Sequence, residues 1–150
     1  MKKFIVIVLL LVFFTGLKAQ KNYTTALGVK FYPTGITIKH FISDKHSLEG
    51  IGYFFHEGTR ITGLYELNFP IGGLNGLNWY VGPGAHVGLY NTKYGGGSAI
   101  GVDGVLGLDY KIADAPINIS LDWQPSFEFG DKSNQGFAGN WGGIGIRYVF

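Results

Sequence analysis

The sequence of 150 residues contains no cysteine, has only 15% charged residues and shows no apolar run of helix length beyond its amino-terminal segment. The absence of cysteine excludes a disulfide framework and leaves no thiol for a lipoprotein anchor. Twelve basic and ten acidic residues give no strong basic excess, so no nucleic-acid partner is predicted. Glycine and aromatic residues are plentiful, at 25 residues and 16%, which favours an all-β protein.

The amino-terminal segment has the composition of a secretory signal peptide. Lys2 and Lys3 precede an unbroken apolar run at residues 4–14, which is too short to span a membrane as a helix. A buried core helix is the alternative, but the basic start and the small Ala19 favour export. We expect a signal peptide at residues 1–19, cleavage between Ala19 and Gln20, and one domain at 20–150. Removal of the signal peptide leaves nine basic and ten acidic residues, so the pI of 8.8 describes the precursor.

The stretch 117–129 sets the pattern for the rest of the chain. Every odd position is apolar and every even position is polar, from Ile117 and Asn118 to Glu128 and Phe129. Because successive strand side chains point to opposite faces, this pattern predicts a β-strand with one apolar and one polar face. Thirteen residues is long for a soluble strand but suits a tilted strand that crosses a bilayer.

Similar alternation predicts eight strands joined by short connections. They cover residues 25–31, 36–42, 46–55, 59–69, 77–90, 99–110, 117–129 and 141–150. The third is ambiguous, because a bulge near Gly50 and Gly52 could switch its faces partway. Short connections make sequence neighbours antiparallel neighbours, and an even number of strands can close into an up-and-down barrel. The expected fold is therefore an eight-stranded antiparallel transmembrane β-barrel.

Alternation by itself does not say which face is outside, since a soluble ligand-binding barrel would place its apolar face inward. Two features favour apolar residues outside. Aromatic residues such as Trp79 and Trp123 lie near the ends of the apolar face, where membrane barrels carry interfacial girdles. The polar face is rich in glycine, which suits a crowded eight-strand interior.

The last predicted strand carries a family resemblance. Ile144, Ile146, Tyr148 and Phe150 alternate up to the final residue, a stretch that looks like the insertion signal of bacterial outer-membrane proteins. The chain from residue 20 onward resembles the small eight-stranded outer-membrane barrels of the OmpA membrane domain, OmpX and OmpW. That resemblance implies a Gram-negative outer-membrane location after general secretion, and a monomer among outer-membrane lipid and lipopolysaccharide. It also implies periplasmic chaperones and the barrel-assembly machinery as partners during biogenesis. It transfers no function, and no cofactor is implied.

The polar face predicts a charge network inside the barrel. Its expected members are Lys30, Lys39, Glu49, Arg60, Glu66, His86, Asp103, Asp109, Asp122, Glu128 and Arg147. Buried charges must be paired, so we expect these residues to fill the lumen structurally. Counting back from the second turn places Lys39 opposite Glu49, with Glu66 beside it. We expect one cluster of Lys30, Lys39, Glu49 and Glu66.

Two functional alternatives to a structural barrel remain open at this point. Small barrels of this kind include lipid A acyl hydrolases and acyltransferases that use a histidine with a serine, and His86 with Asp103, Ser126 and Glu128 would be the candidates here. An adhesin would instead act through the outer loops at 91–98 and 130–140.

The remaining histidines are too scattered to predict a metal site. No catalytic, cofactor or metal residue is therefore assigned, and the favoured interpretation is a non-catalytic barrel with a structural or surface-interaction role.

Overall fold

The structure is a computed structural model that describes residues 23–130 and 136–150. The expected signal peptide and the Ala19–Gln20 cleavage point lie outside the described residues. The described residues form ten strands: β1 (Thr25–Phe31), β2 (Gly35–Phe41), β3 (His46–Phe55), β4 (Gly58–Pro70), β5 (Leu77–Tyr90), β6 (Ser98–Lys111), β7 (Ile117–Trp123), β8 (Ser126–Gly130), β9 (Gly136–Ala138) and β10 (Gly142–Val149). A 3₁₀ turn, Thr92–Tyr94, follows β5. No helix among the described residues is long and apolar enough to cross a membrane.

The strands form a closed antiparallel barrel with eight wall strands. Each strand from β1 to β6 pairs with its sequence neighbours, and β10 closes the ring by pairing with both β7 and β1. The backbone of Phe150 donates to the carbonyl of Thr25, so both ends of the barrel sequence lie at one end of the barrel. We call this the terminal end, and the end that holds the β1–β2, β3–β4 and β5–β6 turns the distal end.

The seventh and eighth wall strands are each interrupted at the same level, which the sequence pattern did not predict. The expected strand 117–129 divides into β7 and β8 at Gln124 and Pro125, because proline has no N–H for the ladder. The eighth wall strand divides into β9 and β10, and β9 lies in the expected loop 130–140. The Trp123 indole N–H donates to the Gly139 carbonyl at 2.9 Å and links the two breaks. The side-chain alternation nevertheless keeps its phase from β7 to β8.

The third wall strand contains no face switch. Its register against β4 is continuous from His46 to Phe55, with Gly50 opposite Gly63. Leu48 and Phe54 point outward, whereas Glu49, Ile51 and Tyr53 are buried inside. The ambiguity in the sequence arose because this strand places two large apolar side chains on the interior face.

The barrel buries polar groups and exposes apolar ones. Among the described residues, 20 polar or charged residues are buried against ten hydrophobic ones, while 29 large hydrophobic side chains are exposed. Exposed members such as Ile61, Leu106 and Leu121 alternate along the wall strands with buried polar residues. Water-soluble proteins show the opposite preference and rarely expose large contiguous apolar patches.

Glycines on the interior face make room for the large side chains of neighbouring strands. A Cβ on Gly107 would lie 2.6 Å from the Tyr80 hydroxyl and 2.8 Å from Asp122 Cβ. Gly63 lies instead on the outward face with Ile61 and Tyr65, and a Cβ there would meet nothing within 4 Å. Interior packing therefore depends on glycine at Gly107, whereas the outward position of Gly63 does not require it.

These two positions give a matched test of the interior packing. We expect Gly107→Ala to lower the free energy of unfolding by about 1–3 kcal/mol, because the new methyl group overpacks the site between Tyr80 and Asp122. Gly63→Ala should leave stability unchanged or slightly raised. Equilibrium unfolding in urea measures both, and equal stability of the two variants would contradict the packing described here.

Candidate functional site

The barrel interior holds all eleven charged or titratable residues that the sequence placed on the polar face. Each is at most 8% exposed. The six on strands β1 to β4 and β10 are at most 2% exposed: Lys30, Lys39, Glu49, Arg60, Glu66 and Arg147. Alternation on the wall strands is what brings them inward, because every second side chain of a closed barrel faces its axis. Burial of this many charges requires that their partners lie inside the barrel.

Lys39 joins two acids near the terminal end, one of which, Glu66, was expected. Its ammonium group lies 2.9 Å from Glu66 Oε2 and 3.3 Å from Asp109 Oδ2. The register also places Lys39 opposite Glu49 on β3, as counted from the turn. The other two members expected in this cluster have different partners, because Glu49 pairs with Arg147 and Lys30 with Asp122.

The partner of Glu49 is Arg147 of β10. The Arg147 guanidinium forms an ion pair with Glu49 and donates to Asn118 Oδ1 at 3.0 Å and to Ser120 Oγ at 2.9 Å. Thr37 also donates to Glu49. One arginine thereby connects strands β3, β7 and β10 across the interior, a role for which its fork of donors is suited.

Lys30 pairs with Asp122 on β7, which is separated from β1 by β10 alone. The Tyr80 hydroxyl donates to the same carboxylate at 2.7 Å, and Gln124 donates to its second oxygen at 2.8 Å. Gln124 in turn accepts from the Tyr53 hydroxyl at 2.9 Å. Asp122 is therefore satisfied by one cation and two neutral donors.

The terminal half of the lumen contains three cations, Lys30, Lys39 and Arg147, and four carboxylates. Two carboxylate oxygens, Glu49 Oε2 and Glu66 Oε1, are buried without a hydrogen-bond partner among the described residues. The acids of this half are therefore under-compensated, and each cation matters more than its own ion pair suggests.

The middle of the lumen is filled by a hydrophobic layer. Ile51, Tyr53, Leu64, Tyr80 and Val105 form one buried cluster between the two charged regions. Below it, at the terminal end, the Tyr23 ring packs edge-on against Phe41 at 5.2 Å. Burial raises the pKa of the Tyr23 phenol. An interior so occupied leaves side chains, not a water-filled path, along the barrel axis.

The distal half of the lumen contains a second charged cluster built around His86. Its Nδ1 lies 3.0 Å from Asp103 and its Nε2 lies 3.1 Å from Glu128 Oε1. Gly101 lies between His86 and Glu128 on the intervening strand, and a Cβ there would lie 2.8 Å from His86 Nε2. Arg60 pairs with Asp103 and approaches Glu128 Oε1 at 3.8 Å.

Both nitrogens of His86 face carboxylates, Asp103 on one side and Glu128 on the other. The expected nucleophile of the enzyme alternative, Ser126, is bonded elsewhere, since its hydroxyl accepts from Arg60 at 3.4 Å. The structure thus brings His86, Asp103 and Glu128 together, whereas Ser126 is hydrogen-bonded to Arg60. Within residues 23–130 and 136–150, no group of three or more potential ligands is arranged to hold a metal ion.

Above this cluster, the distal end of the barrel opens into a cavity of about 810 Å³. It is lined by Pro33, Phe55, Glu57, Tyr90, Glu128, Phe137, Ala138, Gly139, Asn140 and Trp141. Glu128 belongs to both the buried cluster and the cavity lining. The cavity is therefore the point at which the interior network meets the surroundings of the distal end.

Several participants in the interior network were absent from the sequence-based site assignment. Tyr53, Tyr80, Asn68, Asn118 and Gln124 each bond to a charged residue or to one of its partners. All five lie at interior positions of the alternating pattern, so the pattern contained the signal. Trp141 had no comparable signal, because its place beside Arg60 follows from the interruption between β9 and β10.

Comparison with protein-family models, with curated proteins and with solved structures finds no match. The fold and the site therefore rest on the geometry of the chain itself.

Removal of the Lys39 charge tests whether the terminal cluster stabilises the barrel. We expect Lys39→Met to destabilise the protein by on the order of 3–5 kcal/mol, because Glu66 and Asp109 lose their shared cation in a buried site. Urea unfolding measures the change. The control is Lys93→Met in the exposed 3₁₀ turn, which should change stability by less than about 0.5 kcal/mol. A Lys39→Met barrel as stable as this control would refute the structural role of the cluster.

Proposed function

We propose that the chain is a small outer-membrane β-barrel protein with a packed polar lumen and a structural or surface-interaction role. The observation that carries this proposal is the inverted polarity of the barrel, with 29 large hydrophobic side chains exposed and 20 polar residues buried. Exposed apolar residues occur on every one of the eight wall strands, so the whole circumference is suited to contact with lipid.

The closed sheet supports the same proposal. Backbone groups in hydrocarbon have no water to bond to, and a barrel without free edges satisfies them internally. Pairing of β1 with β10 over Ala26 to Phe31 removes the two edges that an open sheet would present. A soluble barrel would need closure less and could not stabilise so much exposed apolar surface.

The interior geometry favours a non-catalytic role over the lipid A-modifying alternative. A serine nucleophile needs a neutral base within hydrogen-bond reach. His86 instead has Asp103 and Glu128 on its two nitrogens, and Ser126 is bonded to Arg60. The filled lumen likewise favours a barrel that does not conduct. Binding of an external partner through the distal loops remains a second proposal, and Phe137, 71% exposed beside the cavity, is the described residue that favours it.

We further propose a Gram-negative outer-membrane location, reached by general secretion and barrel assembly, with the terminal end in the periplasm. The outer-membrane lipid and lipopolysaccharide would then surround a monomer, and no cofactor is proposed. This orientation is proposed from the resemblance to small outer-membrane barrels alone, because the connections at the two ends are of similar length, as residues 42–45 at the terminal end and 32–34 at the distal end show.

A charge on the outward face distinguishes a lipid-facing barrel from a soluble one. Leu106, 50% exposed near the middle of β6, lies between Val81 and Trp123 on the outer surface. In lipid vesicles we expect Leu106→Arg to lower the free energy of unfolding by about 2–4 kcal/mol. Ile42→Arg, at a similarly exposed position in the β2–β3 turn, should have little effect. If both variants inserted and resisted urea equally, the lipid-facing assignment would be refuted.

The last apolar stretch tests the assembly proposal. Phe150 packs edge-on against Tyr148 at 5.0 Å and is 68% exposed, so its ring adds little to the folded interior. We expect Phe150→Ala to reduce the amount of barrel assembled in cells while the assembled fraction keeps its stability. Phe129→Ala is the matched control, since Phe129 is 50% exposed and packs against Phe127 at 5.1 Å. Heat-modifiable gel mobility of membrane fractions gives the folded yield, and an equal yield for both variants would contradict an insertion signal.

A further inference from the structure

The distal cavity combines carboxylates with aromatic rings, and no basic side chain is among the described residues that line it. Its ten lining residues include Glu57 and Glu128 together with the rings of Phe55, Tyr90, Phe137 and Trp141, and none is lysine, arginine or histidine. A volume of about 810 Å³ is in the range of small-molecule sites. The cavity opens along the barrel axis, away from the outward apolar wall, so a ligand would reach it from solution.

Three of the rings form a continuous wall. Phe55 packs edge-on against Trp141 at 5.5 Å and against Tyr90 at 6.0 Å between ring centroids. This wall already holds one cation of the protein itself, because Arg60 Cζ lies 4.0 Å from the Trp141 ring centroid. Aromatic faces attract cations through the ring quadrupole, and tryptophan is the strongest of them.

Glu128 presents an acceptor at the floor of the cavity. Its recorded contacts from His86, Tyr90 and Arg60 all reach Oε1. The side chain is nine-tenths buried, with 10% exposed, and it lines the cavity. Oε2 is therefore the oxygen that remains for a ligand among the described residues.

The charges at this end favour a cation. Three carboxylates, Glu57, Asp103 and Glu128, lie at this end with one guanidinium, Arg60, and with His86 between Asp103 and Glu128. Among the described residues, the charged side chains that line the cavity are carboxylates, since Arg60 and His86 lie behind its lining. A ligand with a positive centre and an apolar surface matches this arrangement.

We propose that the distal cavity binds a small organic cation, an alkylammonium or guanidinium compound, between the Phe55–Tyr90–Trp141 wall and the carboxylates of Glu57 and Glu128. The proposal stands independently of the membrane location. Glu57 supplies charge at the rim, Glu128 supplies the acceptor at the floor, and the rings supply the faces on which the cation rests.

A charged probe and its neutral isostere test this proposal. The folded full-length barrel, in a maltoside detergent that carries no ammonium group, is titrated with choline and with 3,3-dimethylbutan-1-ol by calorimetry and by tryptophan fluorescence. Choline should bind about tenfold more tightly or better, because only it offers a cation to the rings and carboxylates. Equal affinities for the two probes, or no binding of choline at concentrations up to about 50 mM, would overturn the proposal.

Variants assign the binding to this cavity. Glu57→Gln, at an exposed position that should not affect folding, is expected to weaken choline about two- to fivefold and to leave the isostere unchanged. Asp44→Asn, an exposed acid at the terminal end, is the matched control and should change neither affinity. Trp141→Leu should weaken choline about three- to thirtyfold, with Trp79→Leu on the outer wall as its control. Undiminished choline affinity in Glu57→Gln would refute the site even if Trp141→Leu fails to fold.

Discussion

The cost of burying charge inside a narrow barrel is the constraint on which the rest of this structure depends. Each ionisable group that alternation turns inward must meet its counter-charge there, because an unpaired charge in a dry interior costs several kcal/mol. The partners come mostly from strands that are not ladder neighbours, as Lys30 with Asp122 and Arg147 with Glu49 show. These pairs connect non-adjacent strands of the wall, so electrostatics and closure stabilise the same arrangement.

The inverted polarity of the barrel follows from the same constraint. The polar side chains occupy the inside, so the apolar ones of the same strands must face outward on all eight wall strands. Such a surface is stable only where apolar contact is available, which is why the lipid environment is the proposed one. Glycines on the interior face make this packing possible, since Gly101 and Gly107 leave the space that His86 and Tyr80 occupy.

The two halves of the lumen differ in character. The terminal half is sealed and under-compensated in cations, with Lys39 shared between two acids. The distal half reaches the surroundings through a cavity, and Glu128 connects the buried cluster to it. Stability and recognition are thereby assigned to different ends of one barrel, and the Ile51–Tyr53–Leu64 layer separates them.

The sequence by itself determined the strand alternation, the all-β class and, for most strands, which side chains share a face, because the two-residue period of a strand is a local property. It predicted the register of Lys39 opposite Glu49 and the ion pair of Lys39 with Glu66. It did not predict the other ion pairs, since long side chains in a narrow lumen reach past their ladder partner to acids on other strands. The paired interruptions at Pro125 and between β9 and β10 also required the tertiary structure. The distal cavity depends on them, because its wall joins residues distant in sequence, such as Phe55 and Trp141, and only closure of the barrel brings them together.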